Sequence, residues 1–339
     1  MSSCILFSEL DMDDIPIHIA PDSARFIDRL RTFIRARNLA YATEKTYVSW
    51  IVKFIRFHKM KHPKDMNQSE IESFLSYLAV QRFCSKSTQR TALNAIVFLF
   101  KQFMSRDDLG DFAFINSKRQ KAIPTVFTHE EALAVISHLT GKYKFMVRLM
   151  YGTGLRISEL IRLRVKDIDF GMNQIIVRNG KGDKDRITLM PERLIVQLQE
   201  QITLVEIAHK RDLNDGFGHV YLPNALERKY KNANIELKWQ YLFPSGKIGK
   251  DPRSNMLRRH HLNKSILTKK VTIAIRKSAI NKKASSHTFR HTFATQLLQK
   301  GYDIRTVQQL LGHADVATTE IYTHVLKQGN AGIKSPIDF

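Results

Sequence analysis

Apolar residues recur with a helical period through the first third of the chain. In SARFIDRLRTFIRARNLA, Phe26, Leu30, Phe33 and Ile34 mark one face; in TEKTYVSWIVKFIRFHKM, Tyr47, Ile51, Phe54 and Ile55 repeat it. NQSEIESFLSYLAVQ opens on a capping pattern and carries the stripe Ile71, Phe74, Leu75 and Leu78. SKSTQRTALNAIVFLFKQFM is a fourth amphipathic stretch. The spacing predicts a helical domain over about 22–105, preceded by an extended tail over 1–21. Residues 106–125 mix Gly, Pro and charge without period and read as a linker. A new helix opens at THEEALAVISHL, with Thr128 as N-cap and Glu131 closing a capping box. Helices continue through KFMVRLMYGTGLRISELIRL, QIIVRNGKGDKDRITLM reads as strand, tight turn and strand, and from about 191 the pattern is mostly helical again. The expected fold class is mainly α with a small β-hairpin or sheet, in two domains, the second over 126–339.

Charge changes the picture. The chain of 339 residues has 54 basic and 32 acidic residues, a formal +22. Five of the acids (Glu9, Asp11, Asp13, Asp14, Asp22) precede the first base, Arg25, so without residues 1–22 the acids fall to 27 and the surplus is +27. Such a surplus repels itself in a compact chain and is relieved by a polyanion. Nucleic acid is the first candidate, since neutralised phosphates release counterions. No lipidation motif, long basic amphipathic helix or membrane-length apolar run offers the alternative of a membrane. An acidic start does not suit a secretory or transit peptide. Two cysteines, Cys4 and Cys84, are too few for a disulfide framework or thiolate zinc site and suit a reducing cytoplasm. On the helical domain, Arg31, Arg35, Arg37, Lys45, Lys53, Arg56, Lys86 and Arg90 could meet phosphates or simply solvate helix faces.

Four stretches could carry chemistry. YGTGLRISEL lacks the third glycine of a dinucleotide fingerprint. It reads as a helix break at Gly152–Gly154 and a new helix from near Arg156, a guanidinium at an anion-friendly N-terminus, with Glu159 three residues on. A plain helix ion pair explains the same spacing. RNGKGDKDR sets Lys181, Lys184 and Arg186 about a turn that could enter a DNA groove or protonate a leaving oxygen; a solvated turn is the plain alternative. In HTFRHTFATQLL, His287, Arg290 and His291 stand at i, i+3 and i+4, with Phe289, Phe293 and Leu297 as the core stripe. Thr288 stands where a zinc motif needs glutamate, so a phosphate clamp fits better than a metal. In LLGHADVATTEIYTHV, Gly312 reads as a helix-ending glycine before His313, and Asp315 as the next cap. Ala317, Ile321 and Val325 form that helix's apolar stripe, with Tyr322 one step off it. Tyr322 reads as core or as nucleophile.

Taken in order, Arg156, Lys181, His287-x-x-Arg290, His313 and Tyr322 resemble the tyrosine recombinase (phage integrase) family, over nearly the whole chain. The resemblance implies a C-shaped clamp of a helical core-binding (SAM-like) domain and a mostly helical catalytic domain. It implies DNA cleavage and rejoining through a 3′-phosphotyrosine on Tyr322, with no cofactor, metal or ATP. His287 is then the candidate base, Arg156 and Arg290 hold the non-bridging oxygens, His313 adds a hydrogen bond, Lys181 protonates the 5′ oxygen, and Glu159 orients the cations. The implied partner is DNA, with a homotetramer on two duplex sites, a monomer off DNA, and a bacterial cytoplasmic, nucleoid-associated location.

A second resemblance lies in LPNALERKYKNANIELKWQYLFPSGKIGKDPRSNMLRRHHLNKS, which is similar to the insertion of integron integrases, about 215–265 here. Residues 247–283 hold twelve Lys/Arg and one acid, Asp251. It implies exchange of gene cassettes, including at folded single-stranded sites whose unpaired bases are held by Trp239, Pro252, Arg258, Arg259, His260 and His261. Lys231 and Ser286 depart from the prolines frequent in relatives. The tail over about 326–339, with Leu326 and Ile333, is expected to dock on a neighbouring subunit. The alternatives are a recombinase of duplex sites only, as in phage integration or chromosome-dimer resolution, and a non-catalytic DNA-binding protein.

Overall fold

A computed structural model describes residues 16–118, 124–178, 185–222, 226–251, 254 and 256–328. Lys181, Pro252 and the tail beyond Gln328 therefore lie outside the described residues. The chain divides into two compact units that part near residue 122. Among the described residues no helix is long and apolar enough to cross a membrane.

The first unit is built from α1 (Phe26–Ala36), α2 (Tyr41–Phe57), α3 (Gln68–Val80) and α4 (Lys86–Val97). Leu30, Ile34, Ile51, Phe54, Ile71 and Leu75 are fully buried, on the faces their periodicity marks. Asn67 and Glu70 close a capping box at α3. The fourth stretch does not stay α-helical to its end. Residues Phe98–Phe103 form a π-helical turn that brings the consecutive Phe98, Leu99 and Phe100 into the core together. The wider π turn suits a run of adjacent apolar side chains that a 3.6-residue period would splay apart.

Residues 106–118, expected as part of a linker, are strapped onto this unit. Leu109 and Ser117 are buried. The segment's backbone groups are met by side chains: Gln68 Nε2 donates to Asp111 O, Ala113 N donates to Glu72, Ile115 N to Ser76, and Ser117 N to Gln89 Oε1. Aperiodic sequence can be ordered when neighbours satisfy its backbone in this way. Arg31 and Arg35 converge on the buried carboxylate of Glu44, at 2.7 and 2.8 Å, so these two cations are structural.

The second unit contains α5 (His129–Ser137), α6 (Gly141–Thr153), α7 (Ile157–Arg162), β1 (Ile168–Asp169), β2 (Gln174–Val177), β3 (Arg186–Leu189), α8 (Ile195–Asn214), α9 (Leu226–Lys229), β4 (Pro244–Lys250), β5 (Leu257–His261), α10 (Lys264–Lys277), α11 (Ser286–Gln299), α12 (Ile304–Leu311) and α13 (Ala317–Gln328). Thr128 and Glu131 form the expected box at α5. The first sheet is antiparallel in the order β1-β2-β3, with Ile168 opposite Ile175 and Val177 opposite Arg186. Its main core joins α5, α6, α7, α10 and the inner face of α11 through residues such as Met146, Leu149, Leu160, Val271 and Phe289.

The basic insertion holds a second sheet, β4 against β5, with a register shift between Pro244 and Ile248. The sequence there reads as mostly helical because β5, Leu-Arg-Arg-His-His, has no apolar alternation. Its burial comes from paired charges and rings instead. The insertion has its own core of Val220, Leu222, Ala233, Trp239 and Tyr241. Arg164 ties it to the rest of the unit: the guanidinium donates to Trp239 O and Tyr221 O and lies 4.6 Å from the centroid of the Tyr241 ring.

Candidate active site

Two glycine-ended helices organise the site. Gly154 ends α6 at φ +67° and Gly312 ends α12 at φ +63°. Both positions are also crowded: a Cβ on Gly154 would lie 2.5 Å from the Phe293 ring, and one on Gly312 would lie 2.6 Å from Arg186 Cδ. Glycine is required twice over, by the left-handed backbone and by the close approach. Helix C-termini leave carbonyls without intrahelical donors. Arginines fill that need here. Arg290 donates to Gly154 O at 2.6 Å and to Leu311 O, and Arg186 Nε donates to Leu310 O at 3.0 Å. The negative ends of the two helices thus hold two guanidiniums in place.

Beyond Gly154 the chain turns at once into α7, with Arg156 as its N-cap. Glu159 accepts from the Arg156 backbone at 2.7 Å and from its guanidinium at 2.6 Å. It also receives a two-pronged contact from Arg186, at 2.9 and 2.7 Å, and Arg290 is 3.9 Å away. Burial opposes the ionisation of Glu159, but Arg186 and then Arg156 hold its pKa at about 2. Arg290 is 1% exposed. Burial first, and the charge of Arg156 second, push its pKa down to about 9, which still leaves it cationic at neutral pH. Three guanidiniums therefore share one carboxylate.

Histidines line the other side. His287 is near the start of α11, exposed, and its pKa is lowered by partial loss of water, then by Arg290 and Arg156. His291, one turn on, has its ring centroid 4.8 Å from that of His287. Its pKa falls to about 4, from burial and then His287. His313 falls to about 3, from burial and then Arg290, so both rings are neutral at pH 7. His313 Nδ1 lies 2.9 Å from the hydroxyl of the buried Thr319. A hydroxyl donating to Nδ1 fixes the tautomer that carries its hydrogen on Nε2.

Tyr322 completes the set. It is 3% exposed and packs with Phe293, Ala294, Val307 and Leu311. The expected stripe on α13 is corrected: Ala317 is exposed and Ile321 half-buried, whereas Thr319 and Tyr322 face inward. Tyr322 is thus both a packing residue and the residue at the cations. Its ring stacks on His313 at 6.3 Å and 24°. Burial raises its pKa, and Arg290 and Arg156 pull it back. The hydroxyl meets His291 Nδ1 at 2.9 Å. Sequence reasoning set Arg156, Glu159, His287, Arg290, His313 and Tyr322, and the structure brings all six together. It missed the contact of His291 with the hydroxyl, although the i, i+4 spacing from His287 was legible. It also gave Arg186 to the hairpin turn, whereas the guanidinium reaches back to Glu159 and the end of α12.

A buried tyrosine, surrounded by a cation cluster with neutral histidines, is suited to attack on a phosphodiester. Comparison with known proteins gives this geometry its setting. A model described as "Phage integrase family" matches residues 125–329, and one described as "Phage integrase, N-terminal SAM-like domain" matches 26–108. The chain belongs to the phage integrase family. An "Integrase/recombinase" of Escherichia coli is 44% identical over 316 residues, 93% of this chain and 94% of the relative. A "Tyrosine recombinase XerA" of Pyrococcus furiosus is 27% identical over 88% of this chain and 89% of its own. Among solved structures, the fold resembles the XerH site-specific recombinase bound to palindromic difH substrate, with a TM-score of 0.60, 22% identity and coverage of 90% of this chain and 83% of that one. It also resembles a lambda integrase tetramer bound to a Holliday junction, with a TM-score of 0.59, 14% identity and coverage of 87% and 75%. The recombinase is accordingly an enzyme of the tyrosine class, which cleaves and religates DNA.

Of the six residues expected to hold an unpaired base, five are described, and each is buried or paired within the protein. Trp239, His260 and His261 are at most 8% exposed, and the two imidazoles pack against Tyr241 at 5.2 Å. Arg258 is paired with Asp251 at 3.3 Å, and Arg259 makes a two-pronged contact with Asp212 at 2.6 and 2.7 Å. These five share one module as its interior and its stitching. Pro252 is outside the described residues.

Proposed function

We propose that the recombinase exchanges gene cassettes as an integron integrase does, in the bacterial cytoplasm on the nucleoid, including at folded single-stranded sites. The observation that carries this reading is the insertion: a basic module with its own core and its own sheet, tied to the catalytic unit through Arg164. Such a module gives the chain a second surface for DNA besides the active site. Its rings are buried, so a base is taken up by opening the packing of Trp239, His260 and His261, with Arg258 and Arg259 released toward phosphate and Pro252 as a further contact.

In the reaction, Tyr322 Oη forms a bond to phosphorus while the bond from phosphorus to the 5′ oxygen breaks. The phenolic proton leaves toward His287, and Lys181 gives a proton to the 5′ oxygen. Arg156 and Arg290 hold the non-bridging oxygens, and His313 donates from Nε2. Rejoining reverses these transfers with a different 5′ hydroxyl, and the phosphotyrosine keeps the bond energy. The lambda integrase tetramer on a Holliday junction supports an assembly of four chains on DNA. Docking of the tail from about 326 on a neighbour, and a monomer off DNA, belong to the same reading.

A strand-exchange assay tests the substrate reading. Folded single-stranded sites should recombine faster than the same sequence as duplex, and the preference should vanish in the double variant His260→Ala, His261→Ala while duplex cleavage persists. Equal rates on both forms would leave a recombinase of duplex sites, as in phage integration or chromosome-dimer resolution. The nucleophile is tested on a suicide substrate: the covalent adduct should be absent in Tyr322→Phe, and its survival would refute the assignment. Loss of the adduct also separates the enzyme from a non-catalytic DNA-binding protein.

A further inference from the structure

The nucleophile's hydroxyl has one protein partner among the described residues, His291 Nδ1 at 2.9 Å. The contact links two helices that hold different parts of the site. α11 carries His287, Arg290 and His291 within five residues, and α13 carries Tyr322. The Tyr322 ring is fixed on its remaining sides by Phe293, Val307 and Leu311 and by the stack on His313. Packing of this kind fixes the ring and the oxygen at its tip, but sets neither the direction of the O–H bond nor a polar tie from α13 to α11. From the same turn of α11, Arg290 is anchored to two helix-end carbonyls and cannot follow the tyrosine.

We propose that His291 is the positioning residue of the nucleophile: its Nδ1 accepts the Tyr322 hydroxyl, which points the O–H bond and ties α13 to the turn of α11 that carries Arg290, one residue away. His291 is neutral at pH 7, which leaves a ring nitrogen with a lone pair for the hydroxyl. It is too weak a base to keep the proton, so it orients the hydroxyl and leaves the proton to His287, whose ring centroid is 4.8 Å from its own. In rejoining, Tyr322 is the leaving group, and the same bond returns its oxygen to the resting place. This role rests on the recombinase chemistry of the family and not on the cassette reading.

The test uses the full chain and a duplex suicide substrate selected from a random-sequence pool by covalent capture on the wild-type protein. His291→Leu should lower the single-turnover rate of adduct formation about 100-fold, the scale of a misplaced reacting atom, with DNA affinity unchanged. His291→Asn, whose amide oxygen accepts near the Nδ1 position, should recover about tenfold of that loss. Replacing the bridging 5′ oxygen by sulfur, a leaving group that needs no proton, should not rescue His291→Leu, because the defect is at the attacking oxygen. Three results would overturn the proposal. One is a wild-type rate in His291→Leu. Another is an equal loss in the Leu and Asn variants, which means that the imidazole only packs. The last is rescue by sulfur, which moves the role to the leaving group.

Discussion

Arginines gather at two places in the second unit, and their charge is answered differently. At the active site, Arg156, Arg186 and Arg290 share one carboxylate, Glu159, and the rings beside them are neutral histidines. In the insertion, Arg258 has Asp251 and Arg259 has Asp212. Next to it, Arg178 has Asp167 at 2.7 Å. One arrangement leaves two positive charges over, held by helix ends and ready for a phosphate. The other is neutral pair by pair and joins strands and helices. The lesson is that basic sequence marks a ready anion site only where the acids are outnumbered within hydrogen-bond range; paired arginines must first be released. The total of +22 does not locate such a place.

The largest effect is expected at Arg290. Arg290→Ala should reduce adduct formation by about 10³-fold, the scale of one lost charge-stabilising donor. It should also destabilise the fold, because Gly154 O and Leu311 O lose a buried donor at about 1–3 kcal/mol each. Thermal melts and a suicide-substrate time course measure the two losses separately. A variant that melts normally but does not cleave would mean that the helix-end contacts are dispensable for holding the fold.

Next in size is Glu159, the shared carboxylate. Its folded pKa of about 2 lies below the unfolded value near 4.5, so it stabilises the protein above pH 4.5 and that contribution disappears as pH falls toward 2. The difference corresponds to about 3 kcal/mol. Glu159→Gln should therefore unfold about 3 kcal/mol more easily at pH 7 and match the wild type near pH 2. Denaturant melts across that range check it; a constant gap at every pH would place the loss in packing rather than charge.

How much of this was legible beforehand follows the same division. Period and capping residues carried the helices, because a one-sided core imposes spacing on sequence: Leu30, Ile34, Ile71 and Thr128 are where their patterns put them. Spacing failed where burial is not apolar. β5 is covered by paired arginines and rings, and α13 turns Thr319 and Tyr322 inward rather than Ala317 and Ile321. The polar site was readable as an ordered set, yet the two contacts that depend on helix-to-helix geometry were not. Nothing local to Arg186 points to Glu159, 27 residues away, and nothing local to His291 points to Tyr322, 31 residues away.

At the edge of the insertion, where α8 meets β5, Asp212→Asn should cost less than either active-site change. The Arg259 guanidinium keeps its bond to Ser245 O but loses the charged partner, for about 2 kcal/mol. Cleavage of duplex DNA should stay within about twofold of wild type, since a pair closed on itself contributes nothing to a phosphate elsewhere. A large fall in duplex cleavage would mean that the stitching of the insertion governs the active site, and the two arginine clusters would no longer be separable.

The smallest effect is expected at the seam between them. Lys166 Nζ stands 3.1 Å from the centroid of the Trp239 ring, and burial, then Arg178, lower its pKa to about 8. A lysine whose folded pKa lies below the unfolded value near 10.5 weakens the fold while charged, and stability recovers as pH rises from about 8 to 10.5. The ring face offsets part of this by attracting the ammonium. Lys166→Met keeps an apolar stem on the indole and removes the charge. It should raise stability at pH 7 by less than about 1 kcal/mol, and the gain should shrink above pH 8. Melts at pH 7 and pH 10 decide it. A loss at pH 7 would show that the ammonium on Trp239 holds the insertion to the catalytic core, which would make this seam a charged joint like the active site rather than a neutral one.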